Sequence, residues 1–129
     1  MNKILVEVSI GELLDKISIL EIKQEKIKDP EKLKFINNEY SILKEQLKKN
    51  VKSDDRLNKL YRSLKEINAK LWIIEDEKRQ CEKDQNFTDK FIKLSRDVHF
   101  LNDNRAKIKL EINNHTGSTI KEIKEYTSY

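Results

Sequence analysis

The sequence predicts an all-α protein, an antiparallel bundle of about four helices near residues 10–28, 31–49, 54–84 and 89–115, with an extended N-terminal arm and a short C-terminal helix or tail. Three observations predict it. Apolar residues recur at spacings of three and four along four stretches. Each stretch opens on a capping residue, and the last stops at a glycine. Finally, only two of the 129 residues are glycine and one is proline, while 39% are charged and 36% hydrophobic, the balance of long solvated helices rather than of a turn-rich β fold. The length is that of one domain, expected to span 1–129.

Residues Lys3 to Val8 are rich in β-branched and apolar types. They read either as a short strand, which would need a partner, or as an extended arm packed on the helices; the arm is the favoured reading. Ser9-Ile10-Gly11-Glu12 is a capping box: the Ser9 side chain can accept from the Glu12 backbone N–H while the Glu12 carboxylate reaches back. The first helix then carries Ile10, Leu13, Leu14, Ile17, Leu20 and Ile27 on one stripe, with Ile19 and Ile22 on another side. An element apolar nearly all round belongs at the centre.

Asp29-Pro30-Glu31 supplies a new N-cap followed by proline in the first helical position, where its missing N–H costs nothing. Leu33, Ile36, Tyr40, Leu43 and Leu47 continue as the seam of a helix packed lengthwise, as in a coiled coil. Ser53-Asp54-Asp55 caps the third helix, whose seam runs through Leu57, Leu60, Leu64, Ile67, Leu71 and Ile74 and reaches Cys81 after an interruption at Lys78. Such a helix is about 45 Å long, so the fourth helix or a second subunit must shield the part that the first two cannot cover. Thr88 is placed as the next N-cap, before Phe91, Leu94, Val98, Leu101, Ile108 and Ile112. Gly117 ends that helix, and Thr119 and Glu122 suit either the cap of a last short helix or a frayed tail.

Twenty-seven basic and 23 acidic residues give a net charge of +4. The signs are interspersed, as on solvated helix faces, which disfavours a nucleic-acid partner. The apolar run Ile4-Leu5-Val6 is too short for a signal or a membrane span. A lone Cys81 cannot form an internal disulfide and makes no usual zinc site with His99 and His115, so the cytoplasm is the expected compartment and no metal or cofactor is expected. On that reading Asn86-Phe87-Thr88 and Asn114-His115-Thr116 are helix-end chemistry rather than glycosylation sites. Phosphate-binding glycine loops, nucleophile elbows and the Glu-x-x-His of di-iron bundles are all absent.

Polar residues interrupt the stripes. Glu21 and Gln24 fall inside that of the first helix, Lys78 lies between Ile74 and Cys81, and Arg105 lies between Leu101 and Ile108. A buried charge costs several kcal/mol unless it is paired, so these groups either meet one another, as in a Glu21–Arg105 ion pair, or meet a ligand. The ligand reading is an interhelical pocket in which Arg105 and Lys78 hold an anionic small molecule, Glu21 and Gln24 orient it, and Trp72 walls it. Asn102-Asp103-Asn104 beside Arg105 is unusually polar for mid-helix.

Three stretches, Glu7 to Ile17, Leu71 to Asp76 and Asn102 to Lys109, resemble an uncharacterised family of small helical bacterial and phage proteins, a domain of unknown function. That resemblance implies a fold and boundaries but no activity. Lys16-Ile17-Ser18-Ile19-Leu20-Glu21 also resembles part of the first helix of the all-helical chorismate mutases, which implies a dicarboxylate held among helices by basic and amide side chains. Leu14 stands where that family's first-helix arginine would fall. The leading function expected is a helical protein-interaction module with no catalytic activity of its own, a homodimer or a binder of another protein. The alternative is a small enzyme or sensor for an anionic metabolite.

Overall fold

A computed structural model describes residues 2–129 and contains four helices: α1 (Ile10–Lys26), α2 (Pro30–Asn50), α3 (Asp55–Lys83) and α4 (Asp89–Thr116). The caps explain where each begins. The Ser9 Oγ accepts from the Glu12 N–H at 3.0 Å, Asp29 from the Glu31 N–H at 3.0 Å, and Asp54 from the Leu57 N–H at 2.7 Å. Thr88 occupies the N-cap position of α4, but its hydroxyl donates to Asn86 Oδ1 at 2.7 Å instead of capping. Gly117, at φ 70°, turns the chain out of α4 in the left-handed region that favours glycine. Beyond it the chain is a tail with no further helix, and Glu122, placed as a capping partner, is drawn instead to Lys109.

The helices run up, down, up, down. Glu21 meets Tyr40 and Gln24 meets Asn37 across α1 and α2, while Asp54 meets His115 and Arg56 meets Glu111 across α3 and α4. Gly11 meets Asn113 across α1 and α4. Short connections between neighbours dictate this antiparallel order.

The first helix is central, as its two apolar sides require: Leu14, Ile17, Leu20 and Ile22 are all at most 4% exposed, and α1 touches each of the other three helices. Leu14, Leu57, Leu64 and Ile112 form the main core, joined by Leu47 and Val51 from the end of α2. In contrast, α2 approaches only α1 closely and buries only Ile36 fully, leaving Phe35 and Ile42 exposed. The α3–α4 hairpin extends past the shorter α1, and its far part is closed by its own residues, with Cys81 and Leu94 buried and Phe87 set edge-on to Phe91. The fourth helix therefore provides the shielding that the length of α3 demands.

The N-terminal arm departs from expectation. Residues 2–8 form no strand, in keeping with the favoured reading, but they are not packed on the helices: Ile4 and Leu5 are each 89% exposed. The surface beside Ser9 is polar, with Ser118 Oγ accepting from the Ile10 N–H at 3.4 Å and Asn113 Oδ1 from the Gly11 N–H at 2.7 Å, so it gives an apolar arm no groove. Among the described residues no helix is long and apolar enough to cross a membrane.

Candidate functional site

The polar chemistry of the fold is concentrated where α1, α3 and α4 meet. On α1, Gly11, Asp15 and Ser18 follow one another at spacings of four and three, and on α4 Arg105, Lys109 and Asn113 follow at spacings of four. Each set therefore lies on one helical face. The antiparallel packing turns the two faces toward each other as a polar ladder. Asn113 bonds the backbone of Gly11, Lys109 Nζ reaches Glu12 at 2.7 Å and Asp15 at 3.7 Å, and Arg105 lies 3.6 Å from Asp15. Asn68 of α3 completes it, its Nδ2 donating to Asp15 Oδ1 and to Ser18 Oγ, both at 2.8 Å. Ser18 in turn donates to the Asp15 carbonyl at 2.8 Å.

Asp15, Ser18, Asn68, Lys109 and Asn113 are all at most 6% exposed. Burial alone would push the Lys109 ammonium down; hydrogen bonds to Glu12 and Glu122 and the charge of Asp15 outweigh it, and its pKa ends above the ordinary lysine value. Glu122, from the C-terminal tail, accepts from Lys109 at 3.1 Å, and that bond holds its carboxyl below the usual range. The Glu12 carboxylate is thus taken by Lys109 rather than returned to Ser9, because a charged ammonium competes for it more strongly than a neutral backbone amide. Among the described residues no buried side-chain polar atom lacks a hydrogen-bond partner.

Opening beside this ladder is a cleft of about 320 Å³ whose apolar floor includes Ile22 and Leu71 and whose wall is Trp72. Arg105 lines it from α4, and Asn68, Glu75, Asp76 and Arg79 line it from α3. A second and larger cleft, about 660 Å³, lies among α1, α2 and α3, lined by Leu14, Ile17, Leu47, Val51, Leu57 and Tyr61.

The five residues singled out in the sequence fall into separate places. Trp72 and Arg105 meet at the smaller cleft. Glu21 does not pair with Arg105: its two carboxylate oxygens accept from the hydroxyls of Tyr40, at 3.1 Å, and Tyr61. Six residues beyond Asp15 is about 240° around the helix, which carries Glu21 to the opposite side of α1. Burial of Tyr40, followed by the charge of Glu21 and the hydrogen bond to it, raises the phenol's pKa. Gln24 donates to Asn37 Oδ1 at 2.9 Å on the α1–α2 surface. Lys78 is half-buried, has no ion pair among the described residues and lies outside the cleft; Arg79, about 100° further round α3, lines it instead.

Asp15, Ser18, Asn68, Lys109 and Asn113 were not anticipated. The signal that can find them is the run Arg105, Lys109, Asn113 at spacings of four, a polar face on a helix that must also bury its apolar one.

These features define an all-α, four-helix protein with a buried polar junction and clefts between its helices. The chain belongs to a family of unknown function, DUF6165, whose profile matches residues 4–129. No match is found among curated proteins or among solved structures. Among the described residues no group of His, Cys, Asp and Glu side chains is arranged to hold a metal ion.

Proposed function

We propose that the chain is a helical interaction module that pairs with a second copy of itself. The observation that carries this reading is surface area. A compact monomer of 15.4 kDa exposes about 7,200 Å² by the usual scaling with mass, whereas the single chain exposes 9734 Å². The excess is about 2,500 Å², well above the roughly 800 Å² that each partner contributes to a standard interface. Much of it is apolar: Ile4, Leu5 and Val6 on the arm, Phe35 and Ile42 on α2, and Ile123, Tyr126 and Tyr129 on the tail. Exposed apolar surface of this extent supports association.

The arm and the larger cleft match in kind. One offers a short extended run of branched side chains, and the other is walled by Leu14, Leu47, Val51 and Leu57. Lys44, Glu45 and Lys48 of the lining offer both signs of charge to Lys3 and Glu7 of the arm. The pairing assigned is insertion of each arm into the other copy's cleft, a closed two-fold exchange.

Light scattering after size exclusion, from about 5 to 500 µM chain, tests it because association is concentration-dependent. A dimer is expected for the wild type and a monomer for the Ile4→Asp/Leu5→Asp double variant. A monomeric wild type throughout, or a double variant that dimerises as tightly, overturns the reading.

A further inference from the structure

Independently of self-association, we infer that the cleft walled by Trp72 binds a small carboxylic acid that also carries a hydrogen-bond donor near its carboxylate, an amino acid or a 2-hydroxy acid with an apolar side chain. The cleft has the three kinds of group such a molecule needs, and the fold leaves each with capacity to bind it.

The carboxylate end is set by two guanidinium groups. Arg105 makes no hydrogen bond among the described residues; its single ion contact, to Asp15, is 3.6 Å long, and its side chain is 29% exposed at the cleft. Arg79 has Glu75 one turn behind it but forms no ion pair within 4 Å among the described residues, so its fork is also free. Guanidinium groups bind carboxylates through two parallel N–H donors, and here they do so beside an apolar floor where such bonds are stronger than in water.

The donor requirement is set by Asn68. Its amide can be oriented only one way, because Asp15 is a carboxylate and accepts only, so the NH₂ must face it. Both donor bonds of Nδ2 are directed inward, to Asp15 and Ser18. The carbonyl Oδ1 is left with no partner among the described residues, on a side chain that is only 4% exposed and lines the cleft. It is not a buried orphan either, since no fully enclosed polar atom goes unpaired among the described residues, so it looks out into the cleft. An acceptor held there by a buried network asks for an ammonium or hydroxyl hydrogen. Glu75 and Asp76, on the same lining, favour the ammonium. The indole of Trp72 and the side chains of Ile22 and Leu71 remain for the apolar body. A volume of about 320 Å³ suits a molecule of amino-acid size.

Trp72 is the single tryptophan, so its fluorescence reports the cleft directly. The probes are L-leucine, L-phenylalanine, the 2-hydroxy-acid analogue of each, and the analogues lacking both amine and hydroxyl. A saturable change with a Kd below about 1 mM is expected for at least one amino or hydroxy acid. Whether the amino or the hydroxy acid binds more tightly distinguishes the two sources. The analogue lacking the donor is expected to bind at least about tenfold more weakly, because Asn68 Oδ1 is then left unpaired. Arg105→Gln and, separately, the surface variant Arg79→Gln are each expected to weaken binding about tenfold or more, the loss of a charge-assisted hydrogen bond. If Arg105→Gln fails to fold by circular dichroism, Arg79→Gln decides. No saturation by any of the amino or hydroxy acids up to about 10 mM, equal binding of the donor-free analogues, or binding that survives both available substitutions overturns the proposal. The oligomeric state of the same samples is read separately and does not bear on the outcome.

Discussion

Replacing Gly11 by alanine is expected to destabilise the protein, although the same change inside a helix ordinarily stabilises by about 0.5–1 kcal/mol through backbone entropy. Gly11 sits in the first turn of α1, where α4 crosses it. A Cβ there would stand 2.7 Å from the Lys109 carbonyl oxygen and 2.9 Å from Asn113 Oδ1. The first of these is main chain within α4, so it cannot swing aside, and the two helices must separate. Overpacking of this kind costs about 1–3 kcal/mol, and stretching the buried Gly11 N–H to Asn113 bond adds about 1 kcal/mol. After the propensity gain is subtracted, the net loss is about 1–3 kcal/mol, or a Tm lower by roughly 4–10 °C for a chain of this length. Urea and thermal unfolding of wild type, Gly11→Ala and Gly117→Ala provide the comparison. Around Gly117 nothing lies within 4 Å of a built Cβ, so that variant isolates the cost of a left-handed backbone, about 1 kcal/mol. A Gly11→Ala protein as stable as wild type, or more stable, would refute the close approach of α1 to α4.

Three further outcomes follow from the polar junction and the caps. Lys109→Met should cost about 3 kcal/mol in urea unfolding, because it leaves Glu12 without its cation and Asp15 with only the longer contact to Arg105, and adding Asp15→Asn should recover part of that; a loss under about 0.5 kcal/mol for the single variant would contradict it. The Glu122–Lys109 contact should fade in acid. The folded carboxyl lies below its ordinary 4.5, so the contribution is present above that value and is lost as pH falls through the folded pKa, while the raised Lys109 keeps its share until pH rises past its own value above 10.5. The Tm difference between wild type and Glu122→Gln is therefore expected at about pH 7 and should shrink steadily as pH falls below the ordinary carboxylate value of 4.5; a difference that does not depend on pH would refute the ion pair. Ser9→Ala should lower stability by about 1 kcal/mol through loss of the α1 cap, while Thr88→Ala, whose hydroxyl caps nothing, should cost less in the same assay.

Much of the architecture was legible in advance because its determinants are local. Ser9, Asp29 and Asp54 mark helix starts through bonds to amides two or three residues away, and Gly117 marks an end through its own φ. The central position of α1 was legible too, since an amphipathic element can hide only one side and this one has two. The candidate site was legible only in part. Arg105 and Trp72 were found as a break in a stripe and an aromatic beside one, but the stripe rule also selected Lys78, one position from the residue that lines the cleft. Glu21 and Gln24 break the stripe of α1 as well, and they are satisfied by Tyr40, Tyr61 and Asn37. A polar interruption shows that a partner is needed, without showing which.

The sequence by itself determined the four helices, their limits to within about two residues, their antiparallel order and the identity of the central one, all of which rest on interactions between near neighbours and on the period of the helix. Only the tertiary structure decided how the helices are rotated against one another. That rotation sets Asp15 facing Lys109 and Arg105, draws the Glu12 carboxylate away from the Ser9 cap, and brings Asn68 to the lining of the cleft beside Trp72. A buried ammonium from a residue nearly a hundred positions along the chain competes successfully with a neutral amide three positions back, and no reading of local spacing contains that contest.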